Sequence, residues 1–175
     1  MSDIVEARNF AKKKHAGQLR KNGQTTTFSH LQDVVKNLKK MKVINEDTIC
    51  AAWLHDTIED TDTDFDSIKD RFGKRIADIV VSLTKDNRLP RKQREIKYAR
   101  ELKVAGVKAK LVKIADILAN VNDAPNAGKN VEWERIQFLK KSKYWSYVAD
   151  VKPGKLAKLT WAREEWERLK EKYSN

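Results

Sequence analysis

Apolar residues recur three and four positions apart along most of the chain, the spacing that gives a helix one buried face. Ile4, Ala7, Phe10 and Ala11 share a face of a first helix from near Asp3 to His15. Residues 16–29 lose the period and carry Gly17, Gly23 and three threonines, so they read as a loop. The stripe Leu31, Val34, Val35, Leu38 marks a helix from about His30 to Met41. Asn45 is a good cap for the next helix, whose run Ile49-Cys50-Ala51-Ala52-Trp53-Leu54 is apolar all round and therefore central. Thr63 can cap a short helix from Asp64 to Phe72, closed by Gly73, and another runs from Lys74 to about Leu83.

Pro90 sits where a first helical turn would begin, and a basic helix follows to about Ala105. Gly106 interrupts it before an apolar helix over 107–121. Residues 122–130, with Pro125 and Gly128, read as a loop, and two longer helices cover roughly 131–148 and 154–173. Trp133, Trp145, Trp161 and Trp166 recur there at helical spacing and are assigned to core packing. The pattern predicts an all-α bundle of about eight to nine helices in one domain over residues 1–175, with the helices of 131–173 packing on the rest.

Composition agrees: glycine and proline number only 6 and 3, and 35% of residues are charged. The net charge of +12 calls for an anionic partner and is unevenly spread. Six Lys/Arg and no acid lie between Arg8 and Lys21, and eleven Lys/Arg against three acids between Lys85 and Lys113. From His55 to Asp70 there are seven acids and one lysine, an acidic island in a basic chain, which suggests a cation site serving an anionic substrate. The single cysteine, Cys50, lies in an apolar run and reads as a buried inert thiol, compatible with a reducing cytoplasm. The N-terminus lacks the layout of a signal peptide, and no stretch approaches the ~18 apolar residues that span a membrane.

His55 and Asp56 end the most apolar helix, where a carboxylate is costly to bury unless paired or metal-bound. On one continuous helix Glu59 and Asp60 would project over the same broad side, gathering three carboxylates around one imidazole. Such a group repels itself unless a cation or proton compensates. His30 at a helix start and Asp116 inside an apolar stretch extend the set, although Asp116 could equally pair with a lysine and His30 be an ordinary helix residue. Mixed imidazole and carboxylate donors suit a divalent first-row metal with open positions.

The motif His30 … His55-Asp56 … Asp116 resembles the HD superfamily, and its surroundings resemble the alarmone hydrolases related to the hydrolase domain of Rel/SpoT enzymes, especially the small stand-alone kind. The matching segments are His15-Ala16-Gly17-Gln18-Leu19-Arg20-Lys21-Asn22-Gly23, Ala51 through Thr61, Phe72-Gly73, Leu83-Thr84-Lys85, and Val112 through Asn120, spanning about residues 5–123. The resemblance implies that His30, His55, Asp56 and Asp116 hold a divalent metal, typically manganese. It implies that Glu59 and Asp60 orient and activate water, and that Arg20, Lys21, Asn22 and Asn120 contact substrate. The reaction implied is removal of the 3′-pyrophosphate from (p)ppGpp. Ile117, Asn22 and Asp123 depart from the family's usual residues, at positions expected to touch substrate.

Two other readings remain open at the level of sequence. One is a related phosphohydrolase acting on (p)ppApp or NADPH. The other is a nucleic-acid-binding module using the basic surface, which would make no use of the acidic island and is the less favoured. A cyclic-dinucleotide phosphodiesterase is disfavoured because the Gly-Tyr-Pro element of that branch is absent. The expected partner is a phosphorylated nucleotide, with no membrane, and with homo-oligomerisation left open.

Overall fold

In a computed structural model, the fold is described for residues 3–20 and 23–174. Lys21 and Asn22, two of the expected substrate contacts, lie outside the described residues. Ten α-helices are present among the described residues, one of them a single turn. They are α1 (Asp3–Lys14), α2 (Thr27–Lys40), α3 (Glu46–Leu54), α4 (Thr57–Asp60), α5 (Phe65–Phe72), α6 (Lys74–Leu83), α7 (Arg91–Val104), α8 (Val107–Asp123), α9 (Val131–Val148) and α10 (Thr160–Ser174). No helix among the described residues is long and apolar enough to cross a membrane.

Helix α8 is the axis of the bundle, packed against α2, α3, α6, α9 and α10. Leu111, Ile114, Ile117 and Leu118 are all but fully buried on it, which is why its sequence is apolar on almost every side. Helix α3 has the same character and lies between α1, α2, α6 and α8. Its Cys50 is fully buried, and burial pushes the thiol up to about 12, so it is inert as the sequence suggests. Helices α9 and α10 close one side through stacked rings, Trp145 on Trp166 at 4.3 Å and Phe138 on Trp166 at 5.0 Å.

Local signals place most helix ends. Asn45 Oδ1 accepts the Thr48 N–H at 3.1 Å and caps α3. Between α5 and α6 the chain turns at Gly73, with φ 82° and ψ 158°, a conformation open essentially to glycine alone. Several boundaries differ from the sequence reading, among them that α8 runs on to Asp123 and a 3-10 turn covers Ala124–Ala127 where the sequence reads as a loop. Helix α2 starts at Thr27, because Thr26 Oγ1 caps the Ser29 N–H at 3.0 Å, so His30 sits one turn inside. Asp64, not Thr63, caps α5, accepting from Ser67 N at 2.8 Å. The segment from Gly154 begins as a short 3-10 turn, and α10 starts only at Thr160.

The break between α3 and α4 matters most for function. The α-helix stops at Leu54 instead of continuing through Asp60. The Thr57 hydroxyl donates to the Leu54 carbonyl at 2.6 Å, satisfying an acceptor that the helix leaves open. His55 and Asp56 thus occupy a tight turn between two helices and share one mouth. Before α2, the loop folds back on itself as a small antiparallel bridge, Leu19 with Thr26, which carries Arg20 toward the end of α8.

Candidate active site

The site lies where the α3–α4 turn, the start of α2 and the middle of α8 meet. A cleft of about 580 Å³ opens there, and its lining includes His30, His55, Asp56, Glu59, Asp60 and Asp116. Residues far apart in sequence are therefore brought together in one cleft. His55 Nε2 is 3.1 Å from Asp56 Oδ1 and 3.8 Å from Asp116 Oδ1. His30 Nε2 is 3.2 Å from Asp116 Oδ1 and 3.9 Å from Asp56 Oδ2. Donor atoms bound at about 2.1 Å to one ion stand roughly 3–3.5 Å apart, so these spacings are close to those of a ligand shell.

The donor set fits a cation for two further reasons. His55 Nδ1 is 2.9 Å from the Ala52 carbonyl; donating there would leave Nε2 with its lone pair toward the carboxylates. That Nε2 is buried and has no hydrogen-bond partner. In addition, five carboxylates converge on this one cleft in a chain of net charge +12. His30, His55 and Asp56 each offer one donor atom within 4.8 Å of the others. Asp116 adjoins them, with Oδ1 toward the imidazoles and Oδ2 on the Lys113 ammonium at 2.8 Å.

The electrostatics follow from this packing. Burial opposes charging His55, but the Asp56 and Asp116 carboxylates outweigh it and lift the imidazole to about 9. For His30 burial prevails and the pKa falls. Burial would raise Asp116, yet Lys113 and Lys141 with the two imidazoles hold it well below the ordinary carboxylate range. Lys113 is moved well above its usual value, since Asp116 overcomes the effect of burial. The alternative open for Asp116, a lysine partner, is thus realised together with its place in the cluster.

Glu59 stands apart from the tight group. Its Oε2 accepts the Lys85 backbone N–H at 3.1 Å, and burial raises its pKa, partly opposed by that bond. A carboxyl held so, at the edge of the cluster, is suited to taking a proton. The backbone carbonyl of Asp60 accepts Gln18 Nε2 at 2.7 Å, and Gln18 Oε1 in turn meets His15 Nδ1 at 2.7 Å. The His15–Gln18 segment therefore ties the loop to α4.

Asn120 lies one turn beyond Asp116 and donates to its carbonyl at 2.9 Å. Arg20 donates to Asn120 Oδ1 at 2.6 Å and pairs with Asp123 Oδ2 at 3.1 Å. The departure at Asp123 is thus matched by Arg20. The departure at Ile117 is not a substrate position: the side chain is fully buried in the core and does not line the cleft. Trp133 corrects another expectation, for it lines the cleft. Lys85, Lys113, Gln137 and Lys141 line it too. Their only trace in the sequence is lysine in the matched segments for the first two, and four-residue spacing from Trp133 for the others.

The chain belongs to the HD-domain family, whose pattern matches residues 7–138. Among curated relatives, the guanosine-3′,5′-bis(diphosphate) 3′-pyrophosphohydrolase MESH1 of Xenopus tropicalis is 39% identical over 122 residues, 69% of this chain and 68% of that protein. The mouse protein of the same name is 33% identical over 157 residues, covering 87% of this chain and 84% of its own length. A solved structure described as a metazoan ortholog of SpoT that hydrolyses ppGpp superposes with a TM-score of 0.84 at 24% identity, over 98% of this chain and 95% of that one. That likeness establishes the fold.

Proposed function

We propose that this protein is a metal-dependent phosphohydrolase that removes the 3′-pyrophosphate from guanosine 3′,5′-bis(diphosphate) and its 5′-triphosphate analogue. The observation that carries the reading is the His30, His55, Asp56 and Asp116 cluster at the foot of a cleft also lined by lysines and Arg20. The relatives named above supply the substrate class. A nucleic-acid-binding role has no use for buried imidazoles and carboxylates converging in a concave site.

In this reading His30, His55, Asp56 and Asp116 hold one divalent ion, with manganese as the proposed metal. When bound, the ion lowers the pKa of water and offsets charge on phosphoryl oxygens. Glu59, with Asp60 beside it, takes the proton of the attacking water. The water oxygen bonds to the phosphorus on O3′, the P–O3′ bond breaks, and O3′ acquires a proton, giving GDP or GTP and pyrophosphate. Lys113 keeps Asp116 ionised and oriented. Asn120 and Arg20 hold the sugar and base end, with Lys21 and Asn22 assigned to the same contact. A reducing cytoplasm fits the buried thiol of Cys50 and a nucleotide substrate.

The test is product identification. Manganese-reconstituted protein incubated with ppGpp should give GDP and pyrophosphate in equal amounts, and chelation should stop the reaction. Orthophosphate as the sole phosphorus product, or turnover confined to ppApp or NADPH, would overturn the substrate assignment. About one equivalent of metal per chain should be lost in a His55→Ala, Asp116→Ala double variant. Full retention would overturn the ligand assignment.

A further inference from the structure

Helix α9 forms one wall of the cleft, and its second half lies beyond the HD-domain match, which ends at residue 138. Trp133, Gln137 and Lys141 line the cleft from this helix. Positions four apart share a helix face, so the three make one stripe, about 12 Å long at 1.5 Å per residue. Its direction is set by the rest of α9. Asn130 Oδ1 caps the helix at the Trp133 N–H. Phe138 stacks on Trp166 and Tyr173 and so turns toward α10, while Tyr144, three residues beyond Lys141 and on the face of the stripe, bonds Glu95 through its hydroxyl.

The stripe differs from the other cations of the cleft, which are already engaged. Arg20 is engaged by Asn120 and Asp123, Lys85 by Glu95, and Lys113 by Asp116. Among the described residues, the Lys141 ammonium and the Gln137 amide make no hydrogen bond and no ion pair. Trp133 likewise has no aromatic partner among the described residues, while Trp145 and Trp166 stack on each other at 4.3 Å. Lys141 and Trp133 are both half-buried. An ammonium in this position loses hydration without regaining a hydrogen bond. Burial accordingly lowers Lys141 to about 8, with Asp116 the chief opposing charge. Asp116 feels Lys141 in return, second among its cationic neighbours. The Lys113 ammonium that bonds Asp116 lies 5.3 Å from the ring of Tyr144, one turn beyond Lys141, so the Lys141 end of the stripe is the one nearer the His/Asp cluster, and Trp133 is two turns away.

We infer that α9 carries the substrate-recognition wall of the cleft, with Lys141 binding the phosphoryl oxygens held at the His/Asp cluster, Gln137 the sugar–phosphate link, and Trp133 the face of the base. The inference rests on the nucleotide reading given above for what occupies the cleft, and adds residues that bind it. An ammonium free of internal partners receives a phosphate oxygen without first breaking an ion pair. An indole at the far end offers a flat face to a base. The length of the stripe separates the two functions, so each is removable by itself.

Metal-loaded wild type, Lys141→Met, Lys141→Arg and Trp133→Leu should be titrated by calorimetry with inorganic pyrophosphate and with GDP, and their ppGpp kinetics measured. Lys141→Met should weaken pyrophosphate about 10–100-fold, the worth of one charged hydrogen bond, with metal content unchanged. Lys141→Arg should restore most of that affinity. Trp133→Leu should leave pyrophosphate binding as in wild type and weaken GDP about tenfold, raising KM for ppGpp more than it lowers kcat. Should Lys141→Met fold poorly, Lys141→Gln replaces it in the same titrations. Pyrophosphate affinity unchanged on loss of the ammonium would overturn the inference, as would equal loss of pyrophosphate affinity in Trp133→Leu. If wild type binds pyrophosphate through Lys141 but does not cleave ppGpp, the anion wall stands and the substrate reading falls.

Discussion

Lys113→Met offers a direct test of how the cluster is held together. Methionine keeps most of the side-chain volume, so what is lost is the charge. Lys113 and Asp116 are both buried, with side chains 10% and 6% exposed, and their 2.8 Å contact has little solvent to screen it. Removing one member of such a pair leaves the other charge uncompensated, at a cost of about 3–5 kcal/mol. For a chain of this length that corresponds to a fall in Tm of roughly 6–20 °C. Asp116 is depressed in the fold, so its stabilisation is present above its unfolded value and is lost as pH falls through the folded one. Lys113 is raised, so its contribution is present below its unfolded value and is lost as pH rises through the folded one. The gap between wild type and variant should therefore be widest between about pH 4 and pH 10. Urea unfolding in chelator measures it. Saturating metal should narrow the gap, because a bound cation compensates the carboxylate that the variant leaves without its lysine. A loss below about 1 kcal/mol at neutral pH in chelator would refute the view that Lys113 carries the charge balance of Asp116.

Glu59→Gln should lower kcat by about 10²–10⁴ with metal content intact. In wild type kcat should rise with pH through the raised Glu59 value, because the base must be ionised; a Glu59→Gln variant that kept this acid limb would place the base elsewhere. Asp123→Asn should free Arg20 from its 3.1 Å ion pair and lower KM for ppGpp about 2–5-fold; a raised KM would mean that the pair preorganises Arg20 instead. Gly73→Ala should cost about 1–3 kcal/mol from backbone strain alone, since an added Cβ meets nothing within 4 Å. Thermal unfolding measures that loss, and kcat should not change at a position so remote from the cleft.

The helices and the members of the His/Asp cluster are legible in the chain's local pattern. A three-to-four residue period is a local property, and so are the Asn45 cap and the Gly73 turn, which depend only on neighbours in the chain. His30, His55, Asp56 and Asp116 stand out because polar side chains interrupt or end apolar stripes, where burial without a partner is costly. Which partners those residues find is settled by long-range packing. Arg20 meets Asn120 and Asp123 across some hundred residues of chain, and no local pattern encodes that pairing. Whether Ile117 faces substrate or core depends on the rotation of α8 against its neighbours, and it faces the core. The same applies to α9, where four tryptophans in the last two helices share one sequence pattern. Packing of α9 on α10 sends Trp145 and Trp166 into a stack and leaves Trp133 lining the cleft. Helical spacing says which side chains share a face, but only the packing of one helix on another says what that face meets.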